Sequence, residues 1–134
     1  MSQENVELAR RGLEAFNAHD TETFVEVWAH NCEFFTVTGS RMDGTPYRGH
    51  EGLRQYMAEA EQAWIGLRFD VDEIREGKDD VVVAVGYLRG KGRESGAAVE
   101  QRMGVVWRFE GGKLRHCRAY PDPDEALEAV GLRE

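Results

Sequence analysis

Apolar residues recur at helical spacing in three segments of the first half of the chain. One apolar position in every three or four predicts amphipathic helices over residues 2–17, 21–29 and 50–64, because this spacing forms a single stripe along a helix. Asp20 directly precedes the second segment and is a typical N-cap residue. We therefore expect three helices that each have one apolar face available for packing.

The pattern changes after residue 64 to β-rich segments separated by short polar turns. Residues 67–74, 81–88, 97–109 and 113–120 are predicted strands, and residues 32–37 predict an earlier one. Short turns join antiparallel neighbours, whereas the glycine-rich residues 39–49 predict an irregular loop. Helices followed by antiparallel strands indicate an α+β domain in which helices cover one face of a curved sheet.

The last segment, RHCRAYPDPDEALEAVGL over residues 115–132, combines a strand with many ionisable side chains. Asp122 is an N-cap candidate, Pro123 suits the first helical position, and Gly131 is a typical C-terminal stop. Helix capping therefore accounts for the acidic residues without a metal or an acid–base role. The full prediction is a single domain, residues 1–134. It has three N-terminal helices on a strongly curved, mixed or antiparallel sheet around a cone-shaped pocket, and a short C-terminal helix.

Composition narrows the classes of function. The 134 residues are 41% hydrophobic and 31% charged, with a formal net charge of −8, which disfavours nucleic acid as a partner. The chain has no apolar run near the roughly 18 residues of a membrane span and no apolar signal-peptide core at its start. We expect a cytoplasmic protein without a membrane partner.

Metal and cofactor motifs are also missing from the sequence. Cys32 and Cys117 lie far apart and lack the CxxC or Cys/His spacing of zinc sites, so both are predicted to be reduced thiols. The glycines at 90–92 stand in a predicted hairpin rather than between a strand and a helix, where a phosphate-binding loop occurs. We expect neither a metal nor a cofactor.

Three strings resemble the SnoaL-like proteins of the nuclear transport factor 2-like (NTF2-like) superfamily. They are AFNAHDTETFVEVWAHNCEF at residues 15–34, YRGHEGLRQYM at 47–57 and VVWRFEGGKLRHCRAYPDPDEALEAVGL at 105–132. The resemblance implies a cone-shaped α+β fold. It leaves the activity open, because the superfamily contains isomerases, dehydratases, epoxide hydrolases, polyketide cyclases and proteins that only bind.

The resemblance also shows which catalytic groups this chain lacks. The positions of the ketosteroid isomerase Tyr, general-base Asp and protonated Asp fall at Gly12, Thr36 and Val105. The position of an epoxide hydrolase acid falls at Ala119. None of these four residues can transfer a proton as those enzymes require, so both mechanisms are disfavoured.

The facing of the corresponding positions in related proteins and the alternation of side chains along a strand together predict which side chains face the pocket. On the last strand they direct Arg115, Cys117 and Ala119 inward, and Leu114, His116, Arg118 and Tyr120 outward. A catalytic His116 would need the opposite orientation. The predicted lining consists mainly of apolar and aromatic side chains, with a few hydroxyl groups: Phe16, Trp28, Thr36, Tyr47, Tyr56, Tyr87, Met103, Val105, Trp107, Cys117 and Ala119.

Three functional hypotheses follow from these residues. The first is binding of a small apolar molecule in the pocket. The second is a cofactor-free isomerase, cyclase, dehydratase or hydrolase in which Asp43 and His50 form an acid–base pair, although both residues also suit a turn and a helix start. The third is a homodimeric interaction module that uses the outer face of the sheet, with Arg102, Val106, Arg108 and Arg118.

Overall fold

The architecture comes from a computed structural model, which describes residues 2–36 and 45–132. Its helices are α1 (Ser2–Asn17), α2 (Thr21–Glu26), α3 (Gly49–Ala63) and α4 (Pro123–Ala129). Its strands are β1 (Trp28–Phe35), β2 (Tyr47–Arg48), β3 (Trp64–Glu76), β4 (Val81–Gly92), β5 (Ala98–Glu110) and β6 (Lys113–Tyr120). The predicted α+β class, with three helices before the long strands and a short one after them, is confirmed.

The six strands form one mixed sheet in the order β2-β1-β6-β5-β4-β3. Among the strands of residues 2–36 and 45–132, only β1 and β6 run parallel, and the other neighbours are antiparallel. The register of β3 against β4 shifts between Val71 and Glu73, where a β-bulge bends the strand. Opposite this bend, a Cβ at Gly86 would lie 2.1 Å from the carbonyl oxygen of Asp70, so only glycine permits this approach.

Each face of the sheet has its own core. Helices α1, α2 and α3 lie against one face and enclose a cluster that includes Leu53, Val82 and Met103. Helix α4 packs on the other face, where Ala126 contacts a second cluster formed by valines of β4 and β5. A Cβ at Gly104 would lie 2.6 Å from that of Ala126, which shows how closely α4 approaches the sheet.

The predicted helix caps of α2 and α4 are present. Asp20 Oδ1 accepts a hydrogen bond from the Thr23 amide at 3.3 Å, and Asp122 Oδ1 accepts one from the Asp124 amide at 2.9 Å. Pro123 occupies the first position of α4. The acidic residues near the end of the chain thus begin a helix.

Two element predictions are wrong. Trp28 was predicted in helix α2, but that helix ends at Glu26 and Trp28 begins β1. Tyr47 and Arg48 were predicted in a loop, but they form β2 by pairing with Phe34 and Glu33 of β1. In both cases a distant partner strand decides the conformation, and local propensity does not include such a partner.

Val106 is not available for the predicted dimer surface. It is 2% exposed and lies in the cluster beneath α4. The homodimer stays a prediction, and it has to rely on the charged residues of that face. Within the described part of the chain, no helix is both long and apolar enough to cross a membrane.

Candidate functional site

A cavity of about 280 Å³ lies between helices α1–α3 and the inner face of the sheet. Strands β5 and β6 supply one wall through Met103, Val105, Trp107, Cys117 and Ala119. These side chains point the same way because alternate residues of a strand lie on one face. The helices supply the opposite wall, which includes these six residues: Leu8, Gly12, Leu13, Phe16, Tyr56 and Ala60.

The inward side of β6 differs from a simple alternation. Arg108 pairs with His116 and Phe109 pairs with Leu114, so Arg115 is an additional residue in β6 at this point. Leu114 therefore lines the cavity together with Cys117, although alternation had predicted it outward. Arg115 is absent from the described lining, and its guanidinium lies 3.9 Å from Glu33. The predicted orientations of Leu114 and Arg115 are therefore both wrong, and the β-bulge is the reason.

Aromatic rings line a large part of the cavity and contact one another. Tyr56 stands at the centre of this group, with ring-centroid distances of 4.9 Å to Phe34, 5.3 Å to Tyr47 and 6.4 Å to Phe16. Phe34 continues the contacts to Trp28 at 5.5 Å. Such packed rings form a rigid apolar surface with defined positions for their few polar atoms.

One carboxylate belongs to the described lining, that of Glu59 on α3. Its Oε1 accepts a hydrogen bond of 2.5 Å from the Tyr47 hydroxyl, and its Oε2 accepts one of 2.9 Å from Gln55. Glu59 and Ala63 are both exposed to solvent and both line the cavity, so the cavity opens beside this end of α3. Glu59 is therefore a charged group at the entrance.

The Tyr56 hydroxyl differs from that of Tyr47 because it has no hydrogen-bond partner among residues 2–36 and 45–132. Burial raises the pKa of Tyr56, and the neighbouring Tyr47 and Cys117 raise it further. The phenol consequently stays neutral and keeps its proton. Tyr56 lines the cavity together with Tyr47 and Cys117, so this unpaired donor lies at the cavity surface.

The Cys117 thiol is likewise neutral. Burial raises its pKa, and this effect outweighs the hydrogen bond from the Trp107 side chain, which acts in the opposite direction. A buried neutral thiol is a poor nucleophile, because the thiolate is the reactive form. Cys117 therefore contributes an apolar patch to the wall and no covalent chemistry.

Of the predicted pocket residues, all except Tyr87 line the cavity. Tyr87 lies on the outer face of β4, where the guanidinium groups of Arg89 and Arg102 stand 4.8 Å and 5.1 Å from its ring centroid. Its neighbour Leu88 takes the inward position. The prediction for Tyr87 is wrong because β4 is apolar on both faces, so its sequence does not show which face is inward.

The predicted acid–base pair is not found in the described lining. His50 lies in the first turn of α3, where its Nε2 donates a hydrogen bond of 2.8 Å to the carbonyl oxygen of Trp28. Its ring stacks on His30 with centroids 4.4 Å apart. These contacts give His50 a structural role, and it does not line the cavity. Asp43 lies outside the described residues.

His116 and Arg118 face away from the cavity. His116 Nδ1 lies 3.7 Å from Glu33, and the Arg118 guanidinium stands 4.0 Å above the Phe35 ring. Desolvation lowers the pKa of His116 more strongly than Glu33 raises it. In the described part of the chain, no three His, Cys, Asp or Glu residues are grouped so that they could hold a metal ion.

Glu59 is the polar lining residue that sequence reasoning missed. It was not among the predicted pocket residues, although Tyr56 on the same helix was. Residues three apart are neighbours on a helix surface, so the position of Tyr56 could have indicated that Glu59 lies beside it. Gly12, Thr36, Val105 and Ala119, the positions at which the resemblance placed the catalytic groups of related enzymes, all line the cavity.

Solved NTF2-like structures share this architecture. A protein of unknown function from Burkholderia pseudomallei K96243 superposes with a TM-score of 0.79 at 20% identity, covering 95% of this chain and 97% of that one. TerC co-crystallised with polyporic acid gives a TM-score of 0.78 at 20% identity, with coverage of 95% and 97%. A proposed polyketide cyclase from Xanthomonas campestris pv. campestris gives 0.79 at 13% identity, with coverage of 98% and 97%. The fold is that of the NTF2-like class.

The family is shown by sequence as well. The model of the SnoaL-like domain matches residues 9–117, a range that runs from the middle of α1 into β6 and includes most of the cavity wall. The chain belongs to the SnoaL-like family, as its sequence predicted. No curated protein matches the chain in sequence.

Proposed function

We propose that this protein binds a small, predominantly apolar molecule in the cavity beneath α1 and α3. The observation that carries the proposal is the cavity itself, about 280 Å³ in volume and lined mainly by aliphatic and aromatic side chains. Ligand pockets typically measure about 300–1,000 Å³ and combine an apolar wall with a few polar groups. A volume just below this range suits a ligand of one or two rings.

The energetics of packing support a ligand in this space. Protein interiors are as densely packed as organic crystals, and side chains that face an unfilled apolar space lack van der Waals partners on that side. Filling it with an apolar molecule recovers contact energy that the ligand-free protein lacks.

Glu59 supports a second candidate function, cofactor-free proton transfer. Its carboxylate lines the cavity, accepts the proton of Tyr47 in a hydrogen bond, and stands near the neutral donor Tyr56. A carboxylate and a hydroxyl donor at one cavity are the groups that an isomerase or cyclase uses as base and acid. A proposed polyketide cyclase has this fold, and TerC was co-crystallised with polyporic acid.

The binding proposal is tested by a thermal-shift screen with one- and two-ring aromatic, terpenoid and polyketide-like compounds. Ala60 lines the cavity, whereas Ala58 is exposed on the same helix. We expect Ala60→Leu to occupy part of the cavity and reduce the ligand-induced rise in melting temperature. Ala58→Leu is the matched control and should leave that rise unchanged.

Three outcomes separate the possibilities. Stabilisation by a compound that Ala60→Leu reduces and Ala58→Leu retains supports binding in the cavity. Equal responses of the two variants would place any binding elsewhere and contradict the proposal. Turnover of a bound compound that is lost in Glu59→Gln, while binding persists, would support the proton-transfer alternative.

A further inference from the structure

The unpaired hydroxyl of Tyr56 carries information about the ligand. A phenol O–H that a bound ligand shields from water needs a hydrogen-bond partner, because leaving it unpaired costs about 1–3 kcal/mol. Tyr56 has none in the described part of the chain. Its ring is held by Phe16, Phe34 and Tyr47, so the hydroxyl has a defined position and cannot turn freely toward another acceptor.

The Trp28 indole shows that not every unpaired donor is available to a ligand. Its Nε1 is the one side-chain nitrogen or oxygen in the described residues that is both fully buried and without a partner. Tyr56 is also unpaired but does not belong to that fully buried group, and its residue retains accessible surface. A molecule in the cavity can therefore reach the Tyr56 hydroxyl, whereas it cannot reach Trp28 Nε1 without a shift of the ring.

The charges of the lining restrict the ligand further. Among the described lining residues, Glu59 is the only charged side chain, and neither Lys, Arg nor His is present. A carboxylate or phosphate group in this apolar space would lose its hydration without gaining a cationic partner there, which is costly. The net charge of −8 also repels anions at longer range.

We propose that Tyr56 is a specificity-determining residue that selects a neutral ligand bearing an oxygen acceptor, such as a ketone or quinone carbonyl, over hydrocarbons and anions. The proposal rests on the proposed ligand-binding function of the same cavity. A carbonyl oxygen accepts the phenol proton and supplies the partner that the protein does not. A hydrocarbon of equal shape leaves that proton unpaired.

Three two-ring compounds of similar shape test this selection: 2-acetylnaphthalene, 2-ethylnaphthalene and 2-naphthoate. Their affinities are measured by calorimetric titration of the 134-residue protein at neutral pH. In the wild type we expect the ketone to bind about 3- to 10-fold more tightly than the hydrocarbon, which is the range of one net hydrogen bond. The carboxylate should bind most weakly of the three.

Tyr56→Phe removes the hydroxyl and retains the ring. In this variant we expect the ketone and the hydrocarbon to bind with equal affinity, because the hydrocarbon's contacts are unchanged while the ketone loses its donor. Tyr87→Phe is the matched control, since Tyr87 lies on the outer face of the sheet away from the cavity. It should retain the preference for the ketone, and circular dichroism confirms that both variants are folded.

The outcomes distinguish this inference from the proposed function on which it rests. If the ketone and the hydrocarbon bind the wild type equally, or if the preference survives in Tyr56→Phe, the role of Tyr56 is refuted while binding in the cavity stands. Binding of 2-naphthoate as tight as that of the ketone would refute the selection against anions. Failure of all three compounds to bind would count against the binding function itself.

Discussion

Tyr47 and Tyr56 are two tyrosines of the same cavity with opposite hydrogen-bond states. The Tyr47 hydroxyl donates to Glu59, whereas that of Tyr56 has no partner in the described part of the chain. Removing a hydroxyl that is paired costs stability, and removing an unpaired one costs little or nothing. Tyr47 therefore has a structural role, whereas the Tyr56 hydroxyl is the group that we propose contacts a ligand.

This contrast predicts the stability of two matched variants in the absence of ligand. Tyr47→Phe should lower the free energy of unfolding by about 1–2 kcal/mol, because it removes a hydrogen bond to a carboxylate. Tyr56→Phe should change it by less than about 0.5 kcal/mol. Chemical denaturation measures both values. A loss in Tyr56→Phe equal to that in Tyr47→Phe would show that its hydroxyl has a partner in the folded protein.

Most individual lining residues were predictable from the sequence, and each exception has its own cause. Met103 and Val105 were placed correctly because β5 has a polar outer partner at Arg102, so alternation is visible. Tyr87 was misplaced because β4 is apolar on both faces. Glu59 was missed because a single acidic residue in a helix is ordinarily a solvent-facing one.

At the scale of elements, the outer face of β3, β4 and β5 is joined by an ion-pair network. Arg89 contacts Asp70 of β3 and Glu100 of β5, each at 2.8 Å, and Arg68 adds a contact of 2.9 Å to Asp70. The hydrogen bond from Arg89, with a further one from Arg68, lowers the pKa of the Asp70 carboxyl below its ordinary value of 3.8. The ionised form is therefore favoured in the folded state.

The sign of this shift predicts how stability depends on pH. A carboxyl whose pKa is lower in the folded state stabilises the fold when it is ionised, and this contribution disappears as the pH falls through its folded pKa. We expect wild type to exceed Asp70→Asn in stability by less than about 1 kcal/mol near neutral pH, since these pairs are partly exposed. The difference should shrink as the pH falls below 3.8 and vanish once the pH lies below the pKa of Asp70 in the folded protein.

Thermal melts of both proteins between neutral and acidic pH measure that difference. High salt at neutral pH provides an independent check, because it screens exposed ion pairs and should reduce the difference in stability between wild type and Asp70→Asn. A difference that stayed constant down to the lowest pH would show that Asp70 stabilises the strands through something other than its charge.

The elements also show why the outer face was harder to predict than the inner one. Its apolar half is covered by α4, which hides Val106, and its polar half is covered by the charged network. The capping residues of α4 identified the helix in the sequence, but they contain no information about which surface the helix covers. That choice depends on Gly104, whose missing side chain allows Ala126 to approach β5.

For the whole molecule, the homodimer predicted through the outer face is tested by light scattering. A dimer should have twice the mass of the 15.2 kDa chain. Because α4 covers Val106, contacts through this face have to involve charged residues such as Arg102 and Arg108, so added salt should weaken the dimer. A mass of one chain at micromolar concentration would contradict the prediction, and a dimer insensitive to salt would place the contact elsewhere.

The sequence by itself determined the family, the α+β class, the helix caps and most of the apolar wall. These features follow from local spacing, capping chemistry and strand alternation, which operate over a few residues at a time. Only the tertiary structure decided the orientation of β4, the β-bulge that turns Leu114 inward, the short strand β2 and the position of α4. It also decided that Glu59 and the unpaired Tyr56 hydroxyl meet the same cavity. Each of these depends on contacts between residues far apart in the chain, and no local pattern contains them.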